Sequence, residues 1–364
     1  MALLFVDGFD TFGTSNDAAA ATVDTLEKWQ HSGTHSAGTG VECVITGRYG
    51  DGMAFKPVNN SNGNDSYTFT PYFSAAATVV AGVAFRIETA LATTGVWKEV
   101  MAFWSGTITP ECGVAIGGTN GRQIRVFRGT TATSIQDSTL TNLITVNRWH
   151  YLEFKATIDN SGSFDVYLDG VQVAFSSNSG DTQDTNANCT HVRLRSRATT
   201  PTEEAIFIHF DDFYCLNTTG APDDFLGPQH IRTIMPTATG DSADFTPSTG
   251  SNFQQVDDNS SDQDSTYVES STTGHKDLYN YGDISGGTIN AVVNNAIARK
   301  TDASSFTIIP VCKSNGVEQD ATGILVDNTP LYLPFSGVYL IDPDTTVAWT
   351  DAGVNAAQFG YKVG

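Results

Sequence analysis

The 364-residue sequence predicts an all-β protein built as two sandwich domains. Apolar and polar residues alternate in short runs separated by clusters of Gly, Asn, Asp and Ser, the pattern of many antiparallel strands. Charged residues are only 16% of the chain, below the usual ~25%, and Ser, Thr, Asn and Gly carry the polarity instead, a surface suited to strands and turns. The alternation stops at residues 217–224, where Pro222, Gly220 and the pair Asp223-Asp224 mark exposed chain between domains. Such a length exceeds the ~100–200 residues of one ordinary domain.

Taken in order, residues 3–10 open the first domain as a strand. Residues 16–29 break the pattern: Asn16 can cap the alanines at 18–21, and Lys28 sits in the last turn, so a short surface helix is expected. Strands follow at 77–87, 96–104, 122–128, 149–158, 163–175, 189–197 and 205–216. Within the run at 163–175, Phe164, Val166 and Leu168 share one face, and Asp169-Gly170 is a hairpin turn signal. Their spacing predicts two packed sheets.

Residues 217–228 are expected as linker, dividing a first domain at 1–216 from a second at 229–364. In the second, residues 241–264 hold six acids and no base and read as solvated loop. Strands return at 288–298, 305–312, 323–326 and 337–341, and the chain closes near Trp349 and Phe359. A second, smaller β-sandwich is the simplest packing of those runs.

Nineteen Lys and Arg against forty Asp and Glu give a formal charge of −21. That balance argues against nucleic acid as a partner. No apolar run reaches the ~18 residues of a membrane span, and Asp7 interrupts the opening apolar stretch before a secretory core can form, so neither membrane nor export is expected. The five cysteines, Cys43, Cys112, Cys189, Cys215 and Cys312, lack metal spacing and read as buried thiols in a reducing cytosol, with one incidental disulfide as the other reading.

The segment Asn147-Arg148-Trp149-His150-Tyr151-Leu152-Glu153-Phe154, then Val166-Tyr167-Leu168-Asp169-Gly170 and Ile208-His209-Phe210-Asp211-Asp212-Phe213, resembles the concanavalin A-like (laminin G-like) jelly roll. The resemblance covers residues 1–216 and implies that the opening strand lies close to the closing one. Residues 298–303 and 347–360 resemble the C-terminal region of tailed-phage virion proteins. That likeness implies a virion component assembled in the bacterial cytoplasm, with other virion proteins as partners and a homo-oligomer on the particle.

Candidate sites follow. Arg193, Arg195 and Arg197 alternate with Leu194 and Ser196 and so share one face of one strand. They read either as contacts to acidic glycans or an acidic neighbouring subunit, or as a solvent face balanced by local acids. Trp97, Phe103, Trp104, Trp149, Tyr151 and Tyr167 are candidate stacking platforms for sugar rings, with core packing as the alternative. Alternation puts Tyr151 and Tyr167 on the polar faces of their strands and makes them the better surface candidates. Asp7, Asp10, Asp211 and Asp212 fall on strands that the jelly-roll resemblance brings together. No cofactor is required by any motif, but such a carboxylate cluster would suit Ca²⁺, with edge and turn carboxylates as the other reading.

Glycan hydrolysis needs paired carboxylates facing one cleft, and no Glu-x-Asp-x-Glu run exists. Glu203 and Glu204 are adjacent and point to opposite faces, while Glu99 stands alone among Val100, Met101 and Phe103. Gly240-Asp241-Ser242 falls in the acidic loop with no His after His275 to act as base. The expectation is therefore a non-enzymatic structural protein of a tailed-phage virion, as capsid decoration, head fibre or tail appendage. The alternative is a carbohydrate-binding adhesin that recognises host-surface glycans.

Overall fold

The computed structural model describes residues 3–11, 28–29, 45–50, 52–55, 66–89, 94–106, 109–118, 120–176, 180–196, 208–259, 261–302, 305–326 and 332–364. The chain divides into two compact units, Met1–Arg232 and Thr233–Gly364.

In the first unit, one antiparallel sheet takes β1 (Leu3–Asp7), β14 (Ile208–Asn217), β5 (Thr78–Ile87), β10 (His150–Thr157), β11 (Ser163–Leu168) and β12 (Val171–Phe175) in that spatial order. The other takes β4 (Ser66–Phe69), β13 (His191–Ser196), β6 (Trp97–Trp104), β7 (Cys112–Gly117), β8 (Gln123–Arg128) and β9 (Thr130–Asp137). A short hairpin, β2 (Ile45–Thr46) with β3 (Met53–Ala54), completes it. This is the expected concanavalin A-like jelly roll, and β1 pairs directly with β14, Val6 opposite Tyr214.

The core lies between the sheets because alternation aims every second side chain inward. Phe154 and Val166 from the first sheet meet Phe103, Val114, Val126 and Leu194 from the second in one buried cluster. The Phe103 and Phe154 rings stack at 4.7 Å across the interface. Asp169 takes φ 53 at the tip of the β11–β12 hairpin and Gly170 φ 78, the positive pair that a tight turn demands.

Two bulges break the alternation at positions that matter below. Between Glu99 and Met101 the β6–β7 register shifts, so Val100 and Met101 both face the core. Between Asp211 and Tyr214 the β14–β5 register shifts, with Asp212 at φ 50, so that Phe210 and Phe213 both turn inward.

Most of the expected helix at 16–29 lies outside the described residues. Its last residue, Trp29, is fully buried, stacked on Phe9 at 5.3 Å and edge-on to Phe213 at 5.1 Å. Its place is thus in the core rather than on a surface helix. Cys112, Cys189, Cys215 and Cys312 are free and buried, and Cys43 lies outside the described residues.

Residues 217–228 do not behave as a free linker throughout. Residues 218–221 and 223–224 are exposed, but the chain from Phe225 onward is tied to the first unit. The Leu226 amide donates to the Tyr214 hydroxyl (3.1 Å) and the Gly227 amide to Glu153 (2.9 Å). Side chains of the sheet offer acceptors there, and the first unit extends to Arg232.

The second unit has a five-stranded sheet of β15 (Pro236–Ala243), β18 (Lys276–Tyr281), β24 (Gln358–Val363), β20 (Phe306–Ser314) and β21 (Val317–Asp320), with β22 (Ile324–Val326) also on β20. A ladder of β19 (Val292–Ala298) with β23 (Leu333–Tyr339) supplies the second layer of this smaller sandwich. Buried Tyr339, Trp349, Val354 and Phe359 fill one part of its core. Thr350 caps the helix Asp351–Ala356, its hydroxyl accepting from the Gly353 amide at 3.0 Å.

The acidic stretch at 241–264 is not wholly solvated loop. It contains the end of β15, the strand Thr246–Pro247 and a 3-10 turn, Asn252–Gln255. Buried Asp277 organises it by accepting from the Phe245 amide (2.8 Å) and the Asn252 side-chain amide (2.6 Å).

Candidate functional site

The outer face of the β4–β13–β6–β7–β8–β9 sheet gathers aromatic and charged side chains. Strand β13 sends Val192 and Leu194 to the core, so His191, Arg193 and Arg195 point outward. Next to them on β6, the bulge leaves Glu99 on the same outward face.

Glu99 accepts from both guanidinium groups. Arg193 binds it through Nε (2.8 Å) and Nη2 (2.7 Å), and Arg195 through Nη1 (3.1 Å). All three side chains are buried. Burial pushes the Glu99 carboxyl upward, yet the charges and hydrogen bonds of the two arginines outweigh it and hold the group below its ordinary value. The Arg193 guanidinium also lies 3.8 Å from the centre of the Trp104 ring.

An aromatic row continues from this cluster. The His191 ring is 4.8 Å from Tyr72, 5.0 Å from Phe69 and 6.1 Å from Trp104. Tyr72 is exposed, whereas Trp104 is buried and its Nε1 has no hydrogen-bond partner among the described residues. Burial, helped by the Arg193 charge, lowers His191 to about 4. Its imidazole is therefore neutral at pH 7, and a neutral ring beside a phenol is equipped to accept and donate hydrogen bonds.

Farther along the face, Arg125 lies 4.0 Å from the centre of the Trp97 ring and pairs with Asp137 at 2.6 and 2.7 Å. Its partners pull Asp137 below its ordinary value, hydrogen bonding to Arg125 being the largest cause. Arg128 pairs instead with Asp181.

The sequence-derived residues do not all converge. Arg193 and Arg195 lie together here, but as a buried cluster with Glu99 rather than an open stripe, and Arg197 lies outside the described residues, as do Glu203 and Glu204. Tyr151 and Tyr167 belong to the opposite sheet, on β10 and β11. Tyr151 is buried, its hydroxyl donating to the Asp212 carbonyl at 3.0 Å, and the Tyr167 ring packs on Phe225 at 4.8 Å. Both face away from the core as alternation demands, but the chain after β14 returns over them. Of the other aromatics, Phe103 is core, and Trp149 has the Arg86 guanidinium 5.4 Å from its ring centre.

Sequence reasoning missed Glu99, His191 and Tyr72 as members of this face. Glu99 was legible only as an isolated acid, because the bulge that turns it toward Arg193 has no sequence signature. The one available signal was charge: an acid within an apolar strand requires a cationic partner.

Each of the four aspartates has hydrogen-bond partners of its own. Asp7 accepts from Lys28 Nζ and Trp29 Nε1, each at 2.5 Å, and from the Phe9 amide at 3.1 Å. Asp211 accepts from the Arg48 amide (2.7 Å) and the Asp212 amide (2.8 Å). Asp212 accepts from the Ile231 amide (2.7 Å) and pairs with Arg48, and Asp10 accepts from the Met53 amide at 2.9 Å. Burial first, and then mutual repulsion, raises Asp211, while Asp212 is raised chiefly by burial. Among the described residues no group of three or more His, Cys, Asp or Glu side chains is arranged to hold a metal ion.

No family model and no curated protein matches the chain. Solved structures do resemble it. The cellulose-induced protein Cip1 is 14% identical over 58% of this chain and 96% of its own, with a TM-score of 0.42. An endo-β-1,4-glucuronan lyase from the fungus Trichoderma reesei is 15% identical over 53% and 92%, with a TM-score of 0.38. The alginate lyase Aly36B is 9% identical over 62% and 98%, with a TM-score of 0.40. At these identities the likeness is one of fold. It corrects the expectation of a non-enzymatic chain, because polysaccharide lyases are among the proteins of this fold, and the lack of a hydrolase carboxylate pair is no ground for excluding catalysis.

Proposed function

We propose that the first unit recognises carbohydrate on the outer face of the β4–β13–β6–β7–β8–β9 sheet. The observation that carries this reading is the row of Tyr72, His191 and Trp104 beside the Arg193–Glu99–Arg195 cluster. Sugars present apolar ring faces edged by hydroxyl groups. A site for them combines aromatic surfaces with fixed hydrogen-bonding groups, and on this face the exposed Tyr72 ring lies beside His191 at the edge of the charged cluster.

A glycan array probed with the full chain, followed by calorimetric titration of the best hit, tests the reading. Tyr72→Ala is expected to weaken binding about tenfold, the worth of one stacking contact of roughly 1.4 kcal/mol. No binding to any glycan at millimolar concentration, or an unchanged affinity in Tyr72→Ala, would remove the site from consideration.

A place in a tailed-phage virion rests on the resemblance of the C-terminal residues alone, and no comparison supports it. Glycan recognition therefore takes precedence over attachment to a particle.

A further inference from the structure

The segment that follows β14 returns across the outer face of the β1–β14–β5–β10–β11–β12 sheet, and its manner of attachment is unusual. It joins no strand ladder. Side chains rising from the sheet accept its backbone amides at three successive points: the Leu226 amide on the Tyr214 hydroxyl (3.1 Å), the Gly227 amide on Glu153 (2.9 Å) and the Ile231 amide on Asp212 (2.7 Å). Arg48 donates to the Gln229 carbonyl at 3.1 Å.

Both partners are shaped for this contact. Gly82 on β5 lies between the two tyrosines, where a Cβ would sit 2.3 Å from the Tyr214 ring and 3.0 Å from the Tyr151 ring, so only glycine lets both rings lie flat beneath the segment. Gly8 admits the Ile231 carbonyl oxygen, which would stand 2.7 Å from a Cβ there. Gly227 takes φ +74, the left-handed turn that directs its amide at Glu153. Beneath the segment, Tyr214 donates to Glu153 at 2.6 Å, and Tyr151, Glu153 and Tyr214 are all buried.

We propose that residues 225–231 form a latch, which opens as a unit while the sandwich stays folded and thereby uncovers the Tyr151–Glu153–Tyr214 face. A segment held by a few side-chain acceptors, and by no ladder of its own, opens below the free energy of global unfolding. Closed, it seals two phenols and a carboxylate from water. Open, it presents them on the sheet.

Amide hydrogen exchange on the full chain tests this. Leu226, Gly227 and Ile231 amides are expected to exchange at least tenfold faster than ladder amides such as Val80 and Phe154, and at least tenfold slower than an unstructured peptide. Gly227→Val should raise exchange at the latch at least tenfold and leave the ladder unchanged. A Cβ at Gly227 meets nothing within 4 Å, so the substitution is expected to act chiefly through the backbone angle. Tyr214→Phe, which removes the acceptor of the Leu226 amide, is the independent second variant and should act in the same direction. Latch amides that exchange at the ladder rate would overturn the proposal, since the segment would then open only with the fold. Exchange at the unstructured rate would overturn it equally, as would variants that move latch and ladder together.

Discussion

His191 is a side chain whose environment predicts a pH response. Its pKa in the folded state is near 4, against about 6.5 unfolded. The unfolded chain therefore binds more protons between those values, and this contribution to stability, full above pH 6.5, is lost as pH falls toward 4. The loss is on the order of 2–3 kcal/mol. His191→Gln should show a smaller fall in Tm between pH 7 and pH 4 than the parent, and parallel Tm curves would contradict the assignment. Glu99 predicts a larger effect at constant pH. Glu99→Gln removes the carboxylate that two buried guanidinium groups share, and breaking such a pair costs about 3–5 kcal/mol. Urea unfolding at pH 7 measures it, and a loss below about 1 kcal/mol would mean that the cluster is far more solvated than its burial implies.

Among the elements, bulges and the returning segment shape the two outer faces. The β6 bulge sets Glu99 against Arg193 and Arg195, and the β14 bulge crowds Asp211 and Asp212 together while sending Phe213 into the core. After β14, residues 218–224, all exposed except Pro222, and the anchored residues 225–231 differ in backbone access. Limited proteolysis of the full chain should therefore cut first within 218–224 and spare the Leu226–Gly227 bond, because cleavage requires unpaired, mobile backbone. First cleavage between residues 225 and 231, read by mass spectrometry, would show that the amide anchors do not protect the segment.

For the molecule as a whole, the aspartates near β1 and β14 decide whether stability depends on a cation. Asp7 is committed to Lys28 and Trp29, and Asp211 and Asp212 to backbone amides. Chelation is therefore expected to leave the Tm unchanged. A Tm that rises with free Ca²⁺ and loses that dependence in Asp212→Asn would instead show an ion bound to the folded state.

The pairing of first and last strands was implied only by the jelly-roll resemblance; the sequence by itself determined the all-β class and the outward direction of Arg193, Arg195, Tyr151 and Tyr167. Each follows from period-two alternation, which is local and survives in one dimension. Only the tertiary structure decided which outward faces stay accessible and which groups meet. Tyr151 is covered by residues more than seventy positions later, Arg193 meets a carboxylate on another strand across a bulge, and Asp7 is taken by Lys28 and Trp29. Those outcomes depend on register, on bulges and on the path of the returning chain. They are set by the packing of distant segments against one another, and no local pattern in the sequence encodes them.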